Sequence, residues 1–163
     1  VTARRKEIIK AWIPSLVWMG VIAVESTAWL SATNTGRFLY PICHYLFGVT
    51  RARFPVWNFY IRKSGHFVGY FTMSFLLFRS WRATLPQLGN GRWALRWGWI
   101  AWLMTTFIAS MDEWHQTFIP GRTGRVHDVV LDSTAALVAQ IVLFLFLRQG
   151  KATGRIGLTT RYN

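Results

Sequence analysis

The sequence predicts an all-α protein: an integral membrane bundle of about four transmembrane helices with both termini on the cytoplasmic side. Three observations predict it. Long uncharged apolar blocks recur along the 163 residues, 52% of which are hydrophobic. The apolar residues inside them, as in Ser74-Phe75-Leu76-Leu77-Phe78 and Ile141-Val142-Leu143-Phe144-Leu145-Phe146-Leu147, do not keep to a single helical stripe. The 19 Lys and Arg, set against six Asp and Glu for a net charge of +13, fall mainly between or beyond the blocks. The apolar content excludes a disordered basic tail. The single Cys43 excludes an internal disulfide and a cysteine-based zinc site.

The blocks run over residues 11 to 24 (to about 30 if Glu25 is tolerated), 64 to 78, 97 to 111 and 133 to 147. A helix needs about 20 residues to cross a hydrocarbon core roughly 30 Å thick, so each block borrows its missing turn from polar flanks. The expected spans are about 11–30, 62–80, 96–115 and 128–148. They form a transmembrane domain over 11–148 between a basic cytoplasmic N-terminus, 1–10, and a basic cytoplasmic tail, 149–163. The first block has an alternative reading as a signal peptide, with Ser26-Thr27-Ala28 as small residues for cleavage, although its apolar run is long for one. A soluble bundle of unusually apolar helices is the other alternative. The connection from 31 to 61 is long and aromatic, with Phe38, Tyr40, Phe54 and Trp57, and is expected to lie on the membrane or cap the bundle.

Orientation follows from the basic residues. Arg4, Arg5, Lys6, Lys10, Arg79, Arg82, Arg92, Arg96, Arg148, Lys151, Arg155 and Arg161 share one side with Glu7 as the only acid. The other side holds seven cations and five acids. The basic side is therefore cytoplasmic, in a multi-pass protein of the cell (inner or plasma) membrane. A basic skirt facing the cytoplasm accounts for the charge, and no nucleic-acid partner is expected.

Polar residues collect at the outer ends of three spans. Arg62, His66 and Tyr70 recur every four residues on one helical strip, and Gly65 with Gly69 makes a Gly-x-x-x-Gly pattern that invites a close helix approach. Asp112 and Gln116 share a face of the third span with Glu113 beside it. Ile119-Pro120-Gly121-Arg122 then suits a type II turn that holds Arg122 at the mouth of the bundle. The fourth span starts with Asp128 and Asp132, one turn apart, followed by Ser133, Ala135, Ala136 and Ala139.

The segments Arg62-Lys63-x-x-His66-Phe67-x-x-Tyr70 and Asp112-Glu113-x-x-Gln116-x-Phe118-x-Pro120-Gly121-Arg122, followed by Asp128 and a small-residue helix, resemble the motifs of the VanZ-like membrane protein family. The likeness covers roughly residues 12 to 147. Where that family usually has Asn, and Gly three residues later, this chain has Asp132 and Ala135, so the resemblance carries no role to position 132. It implies a small multi-span bacterial membrane protein. The family's founding member is associated with low-level teicoplanin resistance in glycopeptide-resistance clusters, and no reaction is established for the family generally.

Ionisable groups at membrane depth are costly and face the bundle interior, which makes them a site by default. The expected ligand-binding set is Arg62, Lys63, His66, Tyr70, Asp112, Glu113, Gln116, Arg122 and Asp128, taking a lipid headgroup or another envelope-related ligand at the outer face. Arg62, Lys63 and Arg122 would hold phosphate through charge-assisted bonds. His66 is the best candidate for acid–base catalysis. No nucleophile with its own activating neighbour can be named, so the enzyme question stays open and leans towards no. A metal version with His66, Asp112, Glu113 and Asp128 is a weaker alternative; no metal or cofactor is expected, since none of the recognised zinc spacings is present. Two readings compete. Arg62, Lys63, Arg122 and Arg125 facing Asp112, Glu113, Asp128 and Asp132 form a balanced set that would also serve as an ion-pair network fixing helix register, and Glu25 is equally a tie or part of the site. The aromatic content, 17%, equally suits a non-catalytic accessory subunit of a larger membrane complex.

Overall fold

The computed structural model describes residues 2–85, 93–120, 122 and 124–149, with side chains to 147. Its regular elements are all helical: α1 (Thr2–Glu25), a short 3-10 turn (Ala28–Leu30), α2 (Ala32–Phe47), α3 (Phe54–Thr84), α4 (Leu95–Gln116) and α5 (Val126–Gln149). Among the described residues there is no strand.

The helices begin and end where local chemistry allows. Ser31 caps α2 by accepting from the Asn34 amide, and Gly48, in the left-handed region at φ 64°, closes it with its amide on the His44 carbonyl at 2.9 Å. Pro55 sits in the first turn of α3, where no amide is missed. The segment expected as a connection from 31 to 61 is thus mostly helical, and α3 starts eight residues before Arg62. Its aromatic residues mask the helical signal, because they satisfy an interfacial loop equally well. At the other end of the first span, α1 stops at Glu25 rather than near 30. Ser26 turns away there and donates to Asp112 of α4.

Four long helices pack around α3, which touches α1, α2, α4 and α5. Side-chain ties set their directions. Trp12 Nε1 donates to Thr84 Oγ1, Ser15 and Ser80 hydroxyls meet at 2.8 Å, and Trp18 Nε1 donates to the Gly69 carbonyl, so α1 runs antiparallel to α3. Tyr70 meets Asp112 and Trp81 meets Met104, which makes α4 antiparallel to α3. The pairs Lys63–Asp128 and Ser74–Gln140 make α5 parallel to α3. The C-terminal ends of α1 and α4 and the N-terminal parts of α3 and α5 therefore share one end of the molecule.

Tyr70, Met73, Leu77, Phe78 and Trp97 fill the core beside Ala101, Ala109 and Ala135. The small residues let the backbones close in. Gly65 and Gly69 do not serve that purpose: a Cβ on either would meet nothing within 4 Å, and the closest approaches fall at Gly98 and Gly124 instead. Ser15, Ser74, Ser80, Thr105, Glu113, Gln116, Asp132 and Gln140 are buried, whereas Ile13, Val17, Leu103, Phe107, Val130 and Phe146 are exposed. Polar side chains thus share the interior with the apolar core, and many large apolar side chains face outward. Two helices, Thr2–Glu25 and the part of α5 from Val126 to Leu147, are long and apolar enough to cross a membrane.

Candidate functional site

All nine side chains expected to bind ligand lie at that shared end, in two layers and the space between them. The lower layer is a closed hydrogen-bond network around Asp112. Its carboxylate accepts from Tyr70 Oη at 3.0 Å, from Gln116 Nε2 at 3.0 Å and from Ser26 Oγ. One acid from α4 thus ties α3 and the end of α1. Asp112 and Gln116 meet because they are four residues apart on α4, as their spacing predicts.

Arg122 is locked into the same network from the α4–α5 connection. Its Nη2 donates to the carbonyls of Glu25 and Thr27, at 2.5 and 2.9 Å, and its Nη1 reaches Gln116 Oε1 at 3.4 Å. Carbonyls beyond the last turn of α1 have no partner within the helix, and a guanidinium there satisfies them while meeting the negative end of the helix dipole. Burial, then the neighbouring Arg62, lower the Arg122 pKa from its ordinary value. The turn that presents it is closed by the Arg122 amide on the Ile119 carbonyl at 3.1 Å; the conformation expected at Gly121 lies outside the described residues.

The upper layer is a cleft of about 350 Å³ lined by Arg62, Lys63, His66, Gln116, Arg122, Arg125 and Asp128, with Asn58, Phe59 and Pro55 on its rim. Lys63 pairs with Asp128 across α3 and α5. Arg62 donates to the Leu30 carbonyl at 2.7 Å. Among the described residues, the four expected cations and four acids make one close ion pair, Lys63–Asp128. Arg62 and Arg122 spend donors on backbone carbonyls, and the acids accept largely from hydroxyl, amide and backbone donors. Asp128 is the one acid among the groups lining the cleft, so its field is dominated by cations. Glu25 contributes its backbone carbonyl, and its side chain is exposed.

Between the layers lie His66, Glu113 and Asp132. The His66 ring stacks on Tyr70 with centroids 6.3 Å apart, the stripe expected along α3. Glu113 Oε2 accepts the Arg125 amide at 2.8 Å, over Gly124. Asp132 has no solvent exposure, and neither of its oxygens has a hydrogen-bond partner. Sequence reasoning left Asp132 and Arg125 out of the ligand-binding set. The signal for Asp132 was its position one turn after Asp128, facing α3; Arg125 has no periodic clue.

The model of the VanZ/LLP1 family matches residues 11–148. The chain belongs to the VanZ/LLP1 family. No curated protein and no solved structure matches it. In this VanZ/LLP1 chain the matched region contains every side chain of both layers, from Ser26 to Asp132. The segments that carried the resemblance are those that build the network and the cleft: Arg62 to Tyr70 on α3, Asp112 to Arg122 at the end of α4, and Asp128 on α5.

Proposed function

We propose that the protein is a multi-pass membrane protein of the cell envelope whose cationic cleft binds the phosphate-bearing headgroup of a lipid or lipid-linked precursor at the outer face. The observation that carries the reading is the convergence of Arg62, Lys63, His66, Arg122 and Arg125 from α3 and the α4–α5 connection around one cleft with a single lining acid. Guanidinium and ammonium groups are the donors suited to phosphate oxygens, Arg as a planar fork and Lys as a point charge. In this reading the chain has four spans with both termini in the cytoplasm, as its basic residues favour, and the cleft lies at the outer boundary. The apolar exterior of α1, α4 and α5 supports the bilayer setting, as does family membership. We read it as a binding site, since no side-chain nucleophile with its own activating neighbour can be named.

The test is native mass spectrometry of the detergent-purified chain with phosphatidylglycerol, a polyprenyl phosphate, and a neutral diacylglycerol control. Retention of both phosphate-bearing lipids, reduced at least tenfold in Lys63→Ala and Arg125→Ala together, is expected. Equal retention of the neutral lipid would overturn the reading.

A second reading, an accessory subunit of a larger membrane complex, is favoured by an apolar groove of about 330 Å³ between α4 and α5, lined by Trp99, Trp102, Leu137, Ile141 and Phe144. Co-purification of a stoichiometric protein from native membranes would select it.

A further inference from the structure

We infer that His66, Glu113 and Asp132 form a binding site for one divalent transition-metal ion of the zinc class, directly beneath the cationic cleft. One ligand atom from each of the three lies within 4.8 Å of the other two. His66 Nδ1 stands 3.6 Å from Asp132 Oδ2, too long for a hydrogen bond. It is close to the spacing of two donors on a tetrahedral ion, roughly 3.3–3.6 Å for bonds of about 2.0–2.2 Å.

The independent observation is the isolation of Asp132. Its side chain has no exposure, both carboxylate oxygens lack a hydrogen-bond partner, and His66 Nδ1 beside it lacks one too. A buried carboxylate without partners is costly, and buried charges in folded proteins are paired or coordinate metals. Lys63 is committed to Asp128, and the Arg125 contact to Glu113 is through a backbone amide, so His66, 3.6 Å away, is the one neighbour that pairs with Asp132, and only when it is protonated. A dication accounts for all the orphaned atoms at once.

The surroundings match a built metal site. Glu113 is oriented by the Arg125 amide on Oε2 at 2.8 Å and by Gln116 Nε2 on Oε1 at the long distance of 3.5 Å, and outer partners of this kind set ligand geometry. One imidazole and two carboxylates favour zinc, manganese or iron over calcium and magnesium, which take oxygen-rich shells. Three protein ligands leave a coordination position open, and because His66 also lines the cleft, that position is adjacent to it. The sequence offers only a weaker metal alternative, which has His66 and Glu113 but not Asp132, because the ligands come from α3, α4 and α5, and ligands 47 and 19 residues apart make no short motif.

The test needs no lipid, so it stands apart from the headgroup reading. The full chain in mild detergent is stripped with chelator, exchanged into zinc or cobalt, dialysed and analysed by elemental mass spectrometry. One ion per chain is expected, with a visible cobalt absorption band of low coordination number. Glu113→Gln and Asp132→Asn should each weaken uptake at least tenfold. A variant with the exposed His44, His115 and His127 all replaced by Ala should keep it. A wild-type chain that retains no stoichiometric ion overturns the proposal, whatever the variants do. Loss of the ion in the triple His variant, or its full retention in both carboxylate variants, overturns it as well.

Discussion

The imidazole Nδ1 of His66 lies 3.6 Å from the carboxylate of Asp132, and that carboxylate is wholly buried without a hydrogen-bond partner. The two side chains belong to parallel helices, α3 and α5, and sit one turn below the Lys63–Asp128 pair that joins the same helices.

Replacing Asp132 with Asn keeps the shape and removes the charge. In chelated protein the substitution should stabilise the fold by about 1–3 kcal/mol, because burying a carboxylate charge costs more than burying a neutral amide. With zinc present the order should reverse, because the wild type gains binding energy that the variant lacks. Thermal unfolding in detergent, with and without chelator, reads both signs. A variant less stable than wild type in chelator contradicts the expectation.

Gly124 is constrained by a different neighbour. A Cβ there would stand 2.0 Å from the Glu113 carbonyl oxygen and 2.7 Å from Thr117 Cγ2. Gly124→Ala must therefore push the α4–α5 connection away from the end of α4. It should cost about 1–3 kcal/mol, as overpacking does, and break the Arg125 amide bond to Glu113. The measurement is the unfolding midpoint; a shift smaller than that caused by Gly20→Ala, where the added atom meets nothing within 4 Å, would refute the close approach.

Periodicity and charge revealed much of this architecture, for reasons that vary by element. The positions of α3, α4 and α5 were legible because long uncharged runs end at charged residues, and the Arg62–His66–Tyr70 stripe was legible because it lies on one helix. What could not be read was mostly between helices. Nothing in the spacing of Asp112 says that Ser26 and Tyr70 will meet it, and nothing near Arg122 says that its guanidinium will cap α1, 97 residues away. Gly65 and Gly69 match a packing motif whose energetic content lies in the partner helix, and no partner backbone closes on them. α2 was hidden because its exposed Phe38, Ile42, Tyr45 and Leu46 give the same composition as a membrane-surface loop.

The Ser74 hydroxyl donates to the Ala136 carbonyl at 3.0 Å and lies 2.8 Å from Gln140 Nε2, which also reaches the Ser74 carbonyl. This buried tie joins α3 to α5 below the site. Ser74→Ala should cost about 0.6–1.7 kcal/mol, the range of interhelical hydrogen bonds in membrane bundles, and should leave metal uptake unchanged. Chemical unfolding together with the metal content of the same preparation checks both.

The distribution of basic residues makes the orientation testable on its own. Reporter domains active only in the cytoplasm, fused after residue 10 or at the C-terminus, should be active. A reporter inserted between Gly48 and Arg53 should behave as external. Inactive terminal fusions together with an active reporter between Gly48 and Arg53 would reverse the placement of the cleft, whose lining residues would then face the cytoplasm.

Arg122 separates charge from geometry. Its two terminal nitrogens serve three acceptors on two segments: the carbonyls of Glu25 and Thr27 beyond α1, and Gln116 Oε1 on α4. Lysine keeps the positive charge but offers one nitrogen, which cannot span acceptors arranged for a planar fork. Arg122→Lys should therefore cost about 1.5–3 kcal/mol, the range for hydrogen bonds to a charged group, and release the end of α1, which is measurable as faster amide exchange at Ser26 and Thr27. Phosphate-lipid retention should fall along with it if Arg122 also binds headgroup. Unchanged exchange at Ser26 and Thr27 would show that α1 is held by the Ser26–Asp112 contact alone.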